Sequence, residues 1–202
     1  MLFEKKLFTG AKLVLPDRVL EASLATRAGV IEGILQPGVK LPGYEEIDVT
    51  GKILFPGLVD PHVHMWDPSP LNYREDWVCG SQCAASGGIT TIVDMPLSVP
   101  PVVDHEGFVL KRNVAEQASC VDFAFWGGLT PGCVDSLAEL DALGCVAYKG
   151  FMSFANPDYP QINVEKARKE PDSVLHFYRR LVAMRKGNPV MCYGSYRLLW
   201  PD

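Results

Sequence analysis

Two imidazoles two residues apart, in Asp60-Pro61-His62-Val63-His64, are the side chains of this sequence best placed to do chemistry. They close an apolar run, Ile53-Leu54-Phe55-Pro56-Gly57-Leu58-Val59, which reads as a buried strand. Successive strand side chains alternate faces, so His62 and His64 project from the same face. Two imidazoles together at a strand end can hold a divalent metal, and imidazole suits zinc, iron or nickel. Asp60 lies on that face as well and could be a third ligand or orient an imidazole. The plainer alternative is a pair of surface histidines beside a turn, and the spacing alone does not separate the two. What surrounds the pair does more.

From residue 52 the pattern alternates strand and helix. Strands are predicted over 53–63, 89–94, 121–126 and 145–151, and helices over 73–86, 104–119 and 134–143. Asp104 is a candidate N-cap, while Gly87-Gly88 and Gly144 act as stops. Near-continuous apolar strands alternating with helices imply a parallel sheet. Polar side chains gather at the strand C-termini: His62 and His64 after the first, Asp94 after the second, Lys149 near the end of the fourth. Parallel (β/α) barrels place their active sites at that end.

The first fifty residues differ. Short strands at 7–10, 11–15, 27–35 and 46–49 are punctuated by Gly10, Pro16, Gly29, Pro37-Gly38 and Pro42-Gly43, which suggests a small β-rich layer. A chain of 202 residues can bury a real core as one domain or two small ones. Its net charge of −5 offers no basic stripe for nucleic acid or anionic lipid. The start, Met1 to Lys6, lacks the apolar core of a signal peptide, and no run approaches membrane-spanning length. Six cysteines (Cys79, Cys83, Cys120, Cys133, Cys145, Cys192) form neither a CxxC pair nor a disulfide framework, which points to reduced thiols and a cytoplasmic setting. Cys79 and Cys83, four apart on a predicted helix, read as packing residues. Charge shifts along the chain: residues 1–155 carry 11 Lys/Arg against 19 Asp/Glu, and residues 156–202 carry 8 against 5. In that last segment Val174, Leu175, Tyr178, Leu181 and Val182 form a helical stripe after Pro171-Asp172-Ser173, and 190–200 reads as a hairpin.

Asp48-x-x-Gly51-x-x-x-x-Pro56-Gly57-x-x-Asp60-x-His62-x-His64 resembles the opening of the cyclic amidohydrolases: dihydroorotases, hydantoinases and allantoinases. Within that family, Asp94-Met95-Pro96-Leu97-Ser98-Val99-Pro100-Pro101 and Phe125-Trp126-Gly127-Gly128-Leu129-Thr130-Pro131-Gly132 look most like allantoinase. The likeness runs from about residue 5 to 154. It implies a metal-dependent hydrolase of purine catabolism that opens the cyclic amide of allantoin to give allantoate, with zinc or another divalent metal in a binuclear centre. By the resemblance His62 and His64 bind one metal, and Lys149, in Tyr148-Lys149-Gly150-Phe151-Met152, becomes carboxylated and bridges two. A neutral lysine amine can add carbon dioxide to give an anionic oxygen ligand, and burial makes that amine available.

Two departures stand out. Position 66 is Trp66, where dihydroorotases show an arginine that grips the substrate carboxylate, so dihydroorotate is disfavoured. The family also takes two more histidines and a catalytic aspartate from later strands. Of the four histidines here, His105 precedes a predicted helix and His176 lies on the terminal one, so neither fits that role and the catalytic residue stays unassigned. The segment from Asn156 through Pro171-Asp172-Ser173, His176 to Leu181, Asn188-Pro189 and Tyr193-Gly194-Ser195-Tyr196 resembles instead oligo-1,6-glucosidases and maltases, over about the last 47 residues.

The expected fold class is therefore α/β. A small N-terminal β layer (1–51) precedes about half of a TIM-type (β/α) barrel (52–154), followed by an α-glucosidase-like tail of one helix and a hairpin (155–202). The chain reads as a truncated allantoinase-like hydrolase joined near Phe154-Ala155 to an unrelated fragment. The alternatives are a non-catalytic chimeric remnant and an α-glucosidase fragment. The expected substrate is a small cyclic ureide, with neither nucleic acid nor membrane as partner. About four of the eight strands a barrel needs are in hand, so open sheet edges predict a marginal monomer or self-association of two chains.

Overall fold

The computed structural model describes residues 4–153 and 159–162 and the single positions 169, 176, 179 and 183. Contacts divide the chain after Gly57 into two compact units.

The first unit is one sheet. Strands β1 (Lys5–Val14), β2 (Val19–Arg27), β3 (Val30–Leu35) and β4 (Glu45–Asp48) lie in the order β3-β2-β1-β4, and β5 (Ile53–Leu54) also pairs with β1. Ala11, Leu13 and Ala22 form its core, with Leu20, Leu24, Val49 and Leu54 against them. Register slips between Phe8 and Ala11, where Gly10 has φ +79° and a Cβ would lie 2.1 Å from Thr50 Oγ1. Only glycine fits both demands. The strand expected over 27–35 runs only from Val30 as β3, because Arg27 ends β2 and a hairpin turn joins the two. Ala28 and Gly29 both have positive φ (50° and 80°), and Arg27 pairs with Val30 across them. Two such residues make the tight turn whose twist suits antiparallel strands.

The second unit alternates β6 (Leu58–Val63), α1 (Trp77–Ser86), β7 (Ile89–Asp94), α2 (His105–Ala118), β8 (Asp122–Leu129), a 3-10 turn (Val134–Ser136), α3 (Leu137–Leu143) and β9 (Cys145–Gly150). The strands are parallel in the order β6-β7-β8-β9, a curled half of a TIM-type barrel. Trp77 of α1, Phe108 and Ala115 of α2 and Leu140 of α3 pack on Ile92, Phe125 and Cys145 of the sheet. Trp77 sits edge-on to Phe123 and Phe125, with ring centroids 5.4 and 5.9 Å away.

Three boundaries differ from expectation. The run 53–63 breaks at Pro56-Gly57, so β5 joins the first sheet and β6 the second. Helix α1 starts at Trp77 rather than at 73, because Asp76 caps it by accepting the Cys79 N–H at 2.6 Å. The expected helix at 134–143 opens as the 3-10 turn. Asp104 does cap α2, accepting from Gly107 N–H at 2.9 Å. Cys79 and Cys83 are exposed, so they are not core packing. The expected junction near 154–155 and hairpin at 190–200 lie outside the described residues. So does the expected terminal helix, apart from positions 176, 179 and 183, which are helical, as is 169. Tyr159 is 1% exposed, accepts the Leu129 N–H at 2.9 Å and donates to the Lys149 carbonyl. Among the described residues no helix is long and apolar enough to cross a membrane.

Candidate metal centre

His62 is the penultimate residue of β6 and His64 follows its end; Lys149 is the penultimate residue of β9. These are the two outer strands of the sheet, yet their side chains meet. His64 Nε2 is 3.3 Å from His62 Nε2, and Lys149 Nζ is 3.4 Å from the same His62 nitrogen. Two nitrogens bound to one ion at about 2.0–2.1 Å with tetrahedral angles stand about 3.3 Å apart, so the imidazole pair fits a shared metal. Among the described residues no three His, Cys, Asp or Glu side chains gather closely enough to hold an ion. Among the described residues Lys149 is the side chain that stands beside this pair as a candidate third ligand.

The electrostatics favour uncharged nitrogens. Burial lowers the Lys149 pKa, which moves the amine toward its nucleophilic form. His64 is pushed down to about 4, first by burial and then by the charges of Lys149, His62 and Lys111. An imidazole that refuses its proton at neutral pH keeps a lone pair for a metal. Its other ring nitrogen, Nδ1, is buried without a hydrogen-bond partner. Asp60 does not orient a ring through the bond observed here: its Oδ1 accepts the His62 backbone N–H at 3.0 Å.

Aromatic side chains wall the centre. Trp66 stacks on His64 (centroids 6.0 Å, interplanar angle 22°), and the Arg74 guanidinium lies 5.0 Å from the Trp66 ring centroid. The loop carrying them is pinned by Asp67, which accepts from Asn72 Nδ2 at 3.0 Å and from Trp77 N–H at 3.1 Å. Trp126 Nε1 donates to the Pro61 carbonyl at 2.9 Å, beside His62.

No family model matches the chain. The allantoinase of Deinococcus radiodurans is 39% identical over 153 residues, which take in 75% of this chain and 34% of that protein. The allantoinase of Arabidopsis thaliana is 35% identical over 178 residues, 84% of this chain and 35% of that one. Among solved structures, L-hydantoinase from Arthrobacter aurescens superposes with a TM-score of 0.72 at 30% identity, covering 79% of this chain and 36% of the enzyme. Its homologues are allantoinases and hydantoinases. The chain spans about a third of the length of the curated relatives it matches.

Set beside these allantoinase-like relatives, the front of the chain places its three expected ligands together, and Trp66 lies against one of them. The other histidines stand elsewhere. His105 is the first residue of α2, its ring 3.8 Å from Glu139 of α3, and position 176 is helical. Asp94, grouped with the strand-end polar residues, is not exposed to the centre: it is fully buried against Lys111 of α2. Lys111 carried no signal in the sequence, because a lysine on an amphipathic helix ordinarily faces water.

Proposed function

We propose that this chain carries one part of the active site of a metal-dependent hydrolase of cyclic amides, allantoinase-like in substrate class, with His62, His64 and Lys149 as metal ligands. One observation carries the reading: three nitrogens from the ends of the two outer strands converge within 3.4 Å steps in a chain whose relatives are named allantoinase. A divalent metal held there supplies a Lewis acid for the amide carbonyl and makes water nucleophilic at neutral pH.

The chain's own residues would do the following. His62 and His64 offer their Nε2 atoms as ligands, and burial holds His64 neutral. Lys149, lowered toward the free amine, adds carbon dioxide: a nitrogen–carbon bond forms, the amine loses one proton to solvent, and a carbamate oxygen becomes the anionic ligand. Trp66 and Phe151 keep the centre apolar on two sides, Phe151 lying 5.0 Å from Lys149 Nζ. Ring opening breaks the carbonyl–nitrogen bond, leaves a carboxylate and needs a proton on the departing nitrogen. By the family resemblance that proton comes from an aspartate of a later strand. Trp66, with a single N–H donor, cannot grip a carboxylate in two places, which favours an uncharged cyclic ureide over dihydroorotate.

Metal content of the purified protein, and allantoin hydrolysis with added zinc or manganese, test the reading against H62A/H64A. Retained metal that the double variant loses, with metal-stimulated turnover, is the expected result. Equal metal in both proteins would refute the ligand assignment, and no hydrolysis of a nitrophenyl α-glucoside is expected. Among the described residues no third His, Cys, Asp or Glu stands near the pair, which favours a second reading, a non-catalytic chain that binds one metal; metal binding without turnover would select it. Leu58 and Val59 on β6 and Val146 on β9 are exposed, which supports self-association through the outer strands. A cytoplasmic setting suits the free thiols of Cys79, Cys83 and Cys120.

A further inference from the structure

We infer that Asp94 and Lys111 are positioning residues for this centre, holding the backbone on both sides of His64 so that its Nε2 meets that of His62. The inference rests on the metal-binding reading above and extends it to two residues that touch neither the metal nor the substrate.

Both side chains are completely buried and form an ion pair. Such a pair is poor evidence of stabilisation, because well-packed apolar residues of the same volume often do as well or better. Its bonds run to one place. Asp94 Oδ1 accepts the Met65 N–H at 2.7 Å, and the next residue's amide, Met95 N–H, donates to the Val63 carbonyl at 2.9 Å. Lys111 Nζ closes the arrangement by donating to the Met95 carbonyl at 2.9 Å. Val63 and Met65 flank His64, so residues 94 and 95 grip the chain immediately before and after the ligand, and α2 holds residues 94 and 95 in turn.

The ordinary ladder does only half of this work: it pairs Val63 with Asp94, which puts the Met95 amide on the Val63 carbonyl, and no ladder pair follows on the far side of His64. Pairing between β6 and β7 loses its register between Asp60 and Val63, the stretch that carries His62. Past the last ladder pair, the Asp94 carboxylate takes the Met65 amide that no neighbouring strand reaches. Imidazole nitrogens 3.3 Å apart tolerate little backbone rotation at position 64 before they no longer share an ion.

The test reads cobalt(II) affinity and the visible spectrum of the cobalt protein, together with thermal melting, in wild type, H62A/H64A, D94L/K111M and D94N. Wild type binds cobalt and H62A/H64A does not; if wild type fails to bind, or the double-histidine variant binds as tightly, the metal reading falls and takes the positioning role with it. Given that control, D94L/K111M, with an apolar pair in place of the charges, is expected to melt near the wild-type temperature. It should nevertheless lose about ten-fold or more in cobalt affinity and show altered absorption bands. Wild-type affinity and spectrum in that variant would overturn the inference and leave the pair a structural filler. Should D94L/K111M not fold, D94N decides: it keeps an oxygen for the Met65 amide. Affinity within about three-fold of wild type then supports positioning, and a loss of about ten-fold overturns it.

Discussion

Metal-free protein should lose stability as pH falls from about 6.5 to about 4, and His64 should account for a measurable share of the loss. The unfolded imidazole titrates near 6.5, whereas in the fold it is held down to about 4, mainly by burial and then by the charges of Lys149, His62 and Lys111. Between those values the unfolded chain binds a proton that the native chain refuses, so stability drops with pH across that window and this contribution levels off below it. The gap corresponds to at most ~3.4 kcal/mol. His64 is only half-buried, and solvent screening reduces the figure to about 1–2 kcal/mol. Urea unfolding at several pH values between 7 and 4, on wild type and H64Q, isolates the effect, because titrating carboxylates are common to both and cancel in the difference. The H64Q protein, which cannot take the proton, should lose about 1–2 kcal/mol less than wild type over that range. Parallel pH profiles would refute the claim that His64 is held neutral by the fold.

Other outcomes follow from the same packing. Trp77→Ala should cost about 3–5 kcal/mol in denaturant unfolding, since it removes a fully buried ring and two edge-on aromatic contacts. Gly107→Ala should cost about 1–3 kcal/mol, because the new Cβ would lie 2.3 Å from the Pro101 carbonyl oxygen, a backbone atom with little room to move. Added zinc should raise the melting temperature of wild type but not of H62A/H64A; a concentration of about 100 Kd corresponds to about 2.7 kcal/mol. Light scattering should find self-associated chains at micromolar concentration, and Val59→Lys with Val146→Lys should shift them toward monomer; monomeric wild type would count against the edge argument.

The parts legible in the sequence were those set by local chemistry. Ile89 to Asp94 is a β-branched run between glycines and a loop, and the strand has those bounds. Asp104 stands where a cap must, and it accepts the amide it should. The turn at Ala28-Gly29 was only half legible: Gly29 marks a break, but an alanine at φ 50° beside it gives no compositional warning of a two-residue turn. The start of α1 was misplaced because the loop before it, although helix-like in composition, is held open by Asp67 bonding to Asn72 and to the Trp77 amide. Of the candidate centre, His62, His64 and Lys149 stood at strand ends in the sequence, and the family resemblance marked them as the expected ligands. Lys111 could not, since its role depends on which way α2 faces and on a carboxylate 17 positions earlier along the chain.

The meeting of His62 and Lys149 measures the curvature of the sheet. They stand 87 residues apart on strands separated by two others, and in a flat sheet three strand spacings of about 4.8 Å each would hold their backbones roughly 14 Å apart. A nitrogen-to-nitrogen gap of 3.4 Å therefore exists only while the sheet stays bent. Flattening by even a few degrees per strand would open this gap before it disturbed any neighbouring pair of strands, so the three nitrogens would part ahead of any loss of secondary structure. A label pair reporting the His62–Lys149 separation would then register the earliest loosening of the barrel wall.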